Sequence, residues 1–232
     1  MIDLYYWPTP NGHKVSIMLE EVGLDYTVHA VNILEGEQFE ADFLTINPNH
    51  RIPAIVDRDG PSGEPYALFE SGAILMYLAE KTGCLWPSAM AERYKVIQWL
   101  TFQIANVGPM FGQCGHFKGY APEPYPYSIE RYFNETLRLY GVMDGELQDK
   151  DFLAGDYSIA DIAVFPWVMP KVRELHEVDI GQFPSVAGWF ERIFERPAVQ
   201  RGTALLEEQM KLGDPSEEAR EALFGKRQNP NK

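Results

Sequence analysis

The sequence predicts a small α/β unit joined to an all-helical domain. Two observations carry this expectation. The first 83 residues alternate β-prone runs with helical stripes in the order β-α-β-α-β-β-α, and from Ser88 onward every apolar periodicity is helical. The 232 residues suit two small domains at a prior of about 150 residues per domain. A chain of this length can bury roughly 70–75% of the surface its unfolded form exposes, so the fold needs neither metal nor disulfide staples.

Ile2 to Trp7 is a β-prone run that stops at Pro8-Thr9-Pro10. Val15, Met18, Leu19 and Val22 then fall at i, i+3, i+4 and i+7, the stripe of an amphipathic helix, with Gly23 as its C-cap. Tyr26 to Val31 reads as a second strand, and a polar helix is expected around Glu37 to Leu44. Ile52 to Val56 is the third strand, and the turn Asp59-Gly60-Pro61-Ser62-Gly63 folds Tyr66 to Phe69 back against it as a hairpin. Ala73, Ile74, Tyr77, Leu78 and Lys81 continue a helix to Gly83. The first half of this unit calls for a parallel crossover.

In the second part, Val96, Trp99, Leu100, Ile104 and Val107 hold helical spacing, as do Ile129, Tyr132, Phe133, Leu137 and Tyr140. Ser158-Ile159-Ala160-Asp161 has the form of a capping box, Pro166 and Pro170 should kink or end its helix, and the stripe from Val186 to Phe194 stops at Pro197. The expected domains are therefore 1–83 and 88–210. Gly108 to Tyr127, rich in Gly, Pro and aromatics, reads as a long loop and, from Phe111 on, as a wall for a second substrate. Residues 211–232 read as a flexible tail.

A net charge of −14 repels polyphosphate and anionic lipid, which argues against nucleic acid and membrane partners. Cys84 and Cys114 form neither a disulfide framework nor a zinc knuckle, and the histidines show no metal-ligand spacing. With no basic leader and no apolar run long enough to span a bilayer, a cytoplasmic protein is expected.

Three segments carry chemistry. In Trp7-Pro8-Thr9-Pro10-Asn11-Gly12-His13, a strand ends and a helix opens with Thr9 at N-cap and Pro10 at N1. Thr9 can be a cap and nothing more, or the free N–H groups with the Thr9 and Asn11 donors can stabilise an anion such as a thiolate. Pro53, in Arg51-Ile52-Pro53-Ala54, is either an edge-strand proline or a cis turn that leaves the Ile52 N–H and C=O free to pair with an extended peptide. Phe69-Glu70-Ser71-Gly72-Ala73 opens a second helix, where Ser71 suits a carboxylate and Glu70 an ammonium.

These three features in this order, followed by a helical domain with Ser158-Ile159-Ala160-Asp161, resemble a cytosolic glutathione transferase. The match is closer to the bacterial nu class, disulfide-bond reductases similar to yeast prion-type transferase domains. It rests on Tyr5 through Lys14, Asn47-Pro48-Asn49, Phe69 through Ala73, and Ile129-Glu130-Arg131-Tyr132. The resemblance implies a thioredoxin-like N-terminal domain, an all-α C-terminal domain, and a homodimer acting on a small molecule. It also implies that Thr9 and Asn11 donate to the sulfur of bound glutathione, that Ile52 beside Pro53 pairs with its cysteinyl part, and that Glu70 and Ser71 hold its γ-glutamyl end. Gln38 would support the tripeptide, Arg51 would meet its glycine carboxylate, and Arg131 matches a basic residue that reaches the ligand. Nu-class members hold two glutathiones, or one oxidised dimer, per site. Disulfide reduction is the implied activity, with weak transferase or peroxidase activity beside it. A conventional transferase or isomerase acting on an electrophile is the first alternative, and a non-catalytic binding module the second.

Overall fold

The computed structural model describes residues 1–209, 213 and 215–228. Strand β1 (Ile2–Tyr6) pairs in parallel with β2 (Tyr26–Ala30) through helix α1 (Pro10–Val22), which is the expected crossover. Gly23 ends α1 at φ 66, and its N–H reaches Leu19. A 3-10 turn (Glu37–Phe39) and the short α2 (Ala41–Ile46) occupy the segment expected as one polar helix, divided by the extended backbone of Glu40. Strand β3 (Ala54–Asp57) pairs antiparallel with both β1 and β4 (Tyr66–Phe69), giving the sheet order β2-β1-β3-β4. Helix α3 (Ser71–Thr82) follows and is capped by Gly83.

The period of two along β1 sends Ile2, Leu4 and Tyr6 to one face, where Val15, Met18 and Leu19 of α1 and Ile74, Leu75 and Leu78 of α3 cover them. Trp7 joins Val31, Phe43, Ile52 and Ala54 in a smaller cluster on the other face. The larger core runs without a break into the helical domain. Gly202 lets α10 (Pro197–Ala204) approach so closely that a Cβ there would stand 2.7 Å from the Ile17 backbone, and Ser16 Oγ donates to the Gly202 carbonyl at 2.7 Å.

Helix α4 (Met90–Phe102) continues through a π turn (Gln103–Val107) into α5 (Gly108–Gly115) and a second π turn (His116–Tyr120). The long loop expected over 108–127 is thus helical as far as Tyr120. Its glycines serve close packing: a Cβ on Gly115 would lie 3.2 Å from His176 Nε2, and one on Gly119 would lie 2.5 Å from Leu175 Cδ1. Pro109 sits in the first turn of α5, where a missing N–H is tolerated.

Beyond α6 (Pro126–Glu146), α7 (Ile159–Val164) opens with the expected capping box, Ser158 N donating to Asp161 Oδ2 at 3.0 Å. Pro166 falls in a 3-10 turn, α8 (Pro170–His176) opens on the second proline, and α9 (Pro184–Phe194) ends before Pro197. Where a tail is expected over 211–232, Glu217–Phe224 form helix α11, capped by Ser216 and folded back over the N-terminal domain. Its apolar cluster Ala222-Leu223-Phe224 supplies the surface that docks; residues 210–212, 214 and 229–232 lie outside the described ones. Among the described residues no helix is long and apolar enough to cross a membrane.

Candidate active site

A cavity of about 670 Å³ lies where the turn from β1 into α1, the loop before β3, helix α5 and helix α11 meet. Thr9, Asn11, Gln38, Arg51 and Ile52 line its polar side; Phe111, Trp167, Leu175 and Phe224 are among the residues of its apolar side.

The opening turn of α1 is built for close approach. Thr9 N–H bonds back to Trp7 O at 2.8 Å, and a Cβ on Gly12 would stand 2.2 Å from that same carbonyl, so only glycine fits. Thr9 is the N-cap, its Oγ1 accepting from Gly12 N–H at 3.2 Å. That bond uses an oxygen lone pair and leaves the hydroxyl hydrogen free to donate. Asn11 is half-buried on the cavity wall, and among the described residues its side-chain amide makes no hydrogen bond. Both donors stand at the positive end of a 13-residue helix.

The two tyrosines of β1 are turned away from this place. Tyr6 is buried, its hydroxyl shared between His13 Nδ1 at 2.9 Å and Leu205 O at 3.1 Å, and burial pushes its phenol well above the usual range. Tyr5 stacks on His29 at 4.8 Å on the other face of the sheet.

The Ile52–Pro53 bond is cis and directly precedes β3, an inner strand, so the proline stands at a turn and not on a sheet edge. Asn47 shapes that loop from within, donating to Arg51 O at 2.6 Å and accepting from Asn49 N–H at 2.8 Å. Among the described residues the Ile52 N–H and C=O have no backbone partner, while Ile52 itself is 9% exposed. Gln38 is buried with Oε1 unpartnered, its amide donating to Ala222 O of α11 at 3.4 Å. Arg51 reaches Gln228 Oε1 at 2.6 Å.

Glu70 and Ser71 open α3 outside the cavity lining; Asn49 donates to Glu70 Oε1 at 3.3 Å, and Lys14 of α1 donates to Ser71 Oγ at 3.3 Å. Glu70 holds φ 67, a conformation rare for a residue with a side chain and characteristic of functional turns. Arg131 is not brought to the cavity of its own chain: it is exposed on α6, 3.6 Å from Glu135.

Of the aromatics expected as a wall, Phe111 and Tyr120 line the cavity, whereas Phe117 stacks on Tyr132 and Tyr127 is exposed. Sequence reasoning missed Trp167, His176 and Phe224. The first two lie in the segment of Pro166 and Pro170, where the sequence offers only helix-breaking signals, and the third lies in the stretch expected as a tail. His176 is buried with Nδ1 unpartnered, and burial lowers its pKa to about 4, so it is neutral at physiological pH. Neither cysteine lines the cavity; Cys114 is buried, which pushes its thiol up, and Cys84 is exposed at the end of α3.

A parallel-crossover α/β domain with a cis-proline loop, packed on a helical domain, defines the class. The family model for the glutathione S-transferase N-terminal domain matches residues 1–80, and that for the C-terminal domain matches residues 122–197. The chain belongs to the glutathione S-transferase family of enzymes. It is 51% identical, over 92% of its length and 98% of the relative's, to the disulfide-bond oxidoreductase YfcG of Escherichia coli. Among solved structures it resembles a glutathione transferase from Pseudomonas putida with one glutathione disulfide bound per subunit, at 47% identity and TM-score 0.84, covering 88% of this chain and 91% of that one. A second, from Pseudomonas fluorescens with two glutathiones bound, is 48% identical with TM-score 0.83, covering 87% of this chain and 92% of that one. The expected fold and family are thereby confirmed.

Proposed function

We propose that this enzyme reduces disulfide bonds with glutathione, whose sulfur is held as a thiolate by Thr9 Oγ1 and Asn11 Nδ2. The observation that carries this reading is a pair of unspent donors at a helix N-terminus in a cavity lined by no protein thiol. Disulfide chemistry in such a place must use the ligand's sulfur. The relatives named as a disulfide-bond oxidoreductase, or crystallised with glutathione disulfide or two glutathiones, support it.

The tripeptide fits the free groups of the loop. Ile52, before the turn at Pro53, offers the cysteinyl backbone an N–H and a C=O that have no backbone partner among the described residues. Gln38 offers its unpartnered Oε1 to a peptide N–H, and Arg51 offers a cation to the glycine carboxylate. Glu70 and Ser71 take the γ-glutamyl ammonium and carboxylate. Charge-assisted bonds contribute about 1.5–3 kcal/mol, or roughly one to two pKa units, which brings a thiol of pKa about 8.5 near neutrality.

The thiolate attacks one sulfur of the substrate disulfide; a mixed disulfide forms and the other sulfur leaves as a thiolate that takes up a proton. A second glutathione thiolate then attacks the glutathione sulfur of the mixed disulfide. This releases the second substrate thiol and leaves glutathione disulfide, so two glutathiones supply the two electrons. Arg131, outside the cavity of its own chain, is assigned to the ligand of a partner copy in a homodimer. The exposed Tyr66, Met90, Tyr94 and Ile104 offer apolar surface for that dimer, and two unpaired cysteines suit the reducing cytoplasm.

The test is turnover of a model disulfide by glutathione against conjugation of a chloronitrobenzene. Faster disulfide reduction is expected. Conjugation that runs far faster would assign a conventional transferase, and no glutathione affinity by calorimetry would assign a binding module.

A further inference from the structure

Lys14, in the second turn of α1, buries its amino group with no ion-pair partner among the described residues. Its side chain is 2% exposed, and its ammonium donates to Gln103 Oε1 at 2.6 Å and Ser71 Oγ at 3.3 Å. Both acceptors are neutral, and among the described residues Lys14 forms no ion pair. Burying an ammonium without an anion is costly, so an unpaired one inside a core points to a partner that arrives from elsewhere.

The donor arrangement shows which way that partner lies. Lys14 fills a lone pair of Ser71 Oγ, which leaves the hydroxyl hydrogen free to point outward from the start of α3. Gln103, in the first π turn, holds the ammonium from the other side. Its own Nε2 is buried and unpartnered, at a place where a Cβ on Gly108 would stand only 2.9 Å away. Helix α1, the N-terminus of α3 and the α4–α5 junction thus meet at one nitrogen.

We propose that Lys14 is a positioning residue for the γ-glutamyl carboxylate, fixing Ser71 as a donor and placing a buried cation behind it. The proposal rests on the glutathione reading of the site.

Burial lowers the ammonium pKa to about 7, and the charge of Glu70 opposes that shift. The other charged groups facing α1 are spoken for: Lys81 of α3 by Asp57, Asp161 of α7 by Leu153 and Trp189, and Arg201 of α10 by Glu20. His13 on α1 itself is held neutral by burial. A bound carboxylate therefore draws a proton onto Lys14.

S-methylglutathione, which has no thiol proton to lose, is the probe, titrated calorimetrically at neutral pH in buffers of different ionisation enthalpy. The wild-type enzyme should take up a fraction of a proton on binding. Lys14→Met should take up none and bind about tenfold more weakly, because Ser71 loses the donor that orients it and the carboxylate loses the cation behind it. It should also melt no lower than wild type, because an apolar side chain of similar length relieves an unpaired buried charge. A merely structural lysine would give the reverse, a lower melting temperature with unchanged affinity. Cysteinylglycine, which lacks the γ-glutamyl carboxylate, should bind wild type and variant alike. Wild-type binding without proton uptake overturns the proposal even if the variant does not fold, as does a Lys14→Met enzyme of undiminished affinity. Failure of the wild type to bind S-methylglutathione would overturn the glutathione reading itself, and this inference with it.

Discussion

Replacing Asn11 by alanine removes a donor that the folded chain does not spend on itself, so its effect on chemistry separates from its effect on stability. The side chain lines the cavity without an internal partner, unlike Thr9, whose oxygen also caps α1. Alanine is the better helix former, and the change in folding free energy should stay within about 0.5 kcal/mol. One charge-assisted bond of about 1.5–3 kcal/mol raises the bound thiol by roughly one to two pKa units. For a wild-type thiol of pKa near 7, this lowers the thiolate fraction at neutral pH about fivefold to fiftyfold. The more basic thiolate is also the better nucleophile, with a Brønsted slope of about 0.4–0.5, which returns roughly three- to eightfold. The net loss at neutral pH is then about two- to sixfold, and it should vanish in alkaline buffer, where both enzymes are ionised and the variant overtakes wild type. The assay is the pH dependence of glutathione-driven reduction of a small disulfide, with the thiolate followed by its ultraviolet absorbance. A deficit of constant size at every pH would refute a role in ionisation and leave Asn11 a binding contact only.

Thr9→Val should shift the pH profile in the same direction and also lower the melting temperature by about 2–4 °C, since it removes a cap of about 1 kcal/mol, whereas Thr9→Ser should preserve both. Gly12→Ala forces a Cβ to within 2.2 Å of Trp7 O and should cost about 1–3 kcal/mol of stability, with glutathione affinity reduced beyond that because the opening turn itself is displaced; an unchanged melting temperature would contradict the close approach. His176, with its pKa lowered from 6.5 to about 4, contributes stability that is present above pH 6.5 and lost as pH falls toward 4. His176→Phe should therefore gain on wild type in denaturant unfolding across that window, and a constant difference between the two would count against the burial of a neutral imidazole.

What was legible in the sequence is what depends on near neighbours. Thr9, Gly23, Gly83 and the Ser158–Asp161 box act within a turn of themselves, and each was recognisable from its spacing. The strand faces followed from a period of two that one buried side enforces. Gly108 to Tyr120 was misread because glycine and proline signal loops only when nothing else decides; here His176, Leu175 and Trp167 press against the glycines and hold a helix that local propensity opposes. Lys14 gave no signal either, being one cation within a helical stripe, with partners 57 and 89 residues away. The covering helix α11 was hidden for a related reason: its short apolar stretch acquires meaning only from the surface it meets.

The contact of Gly202 with Ile17 has a bearing on how such an enzyme can be dismantled or rebuilt. The helix whose first turn presents Thr9 and Asn11 is walled in by the sheet on one flank and by α10 on the other, so it belongs to neither half alone. An excised N-terminal fragment would bare Ile17 to water and forfeit the carbonyl that anchors Ser16. Unlike a free-standing thioredoxin, this enzyme should resist miniaturisation, and chimaeras that exchange one half for a homologue's will succeed only where the seam between α1 and α10 is transplanted as a pair.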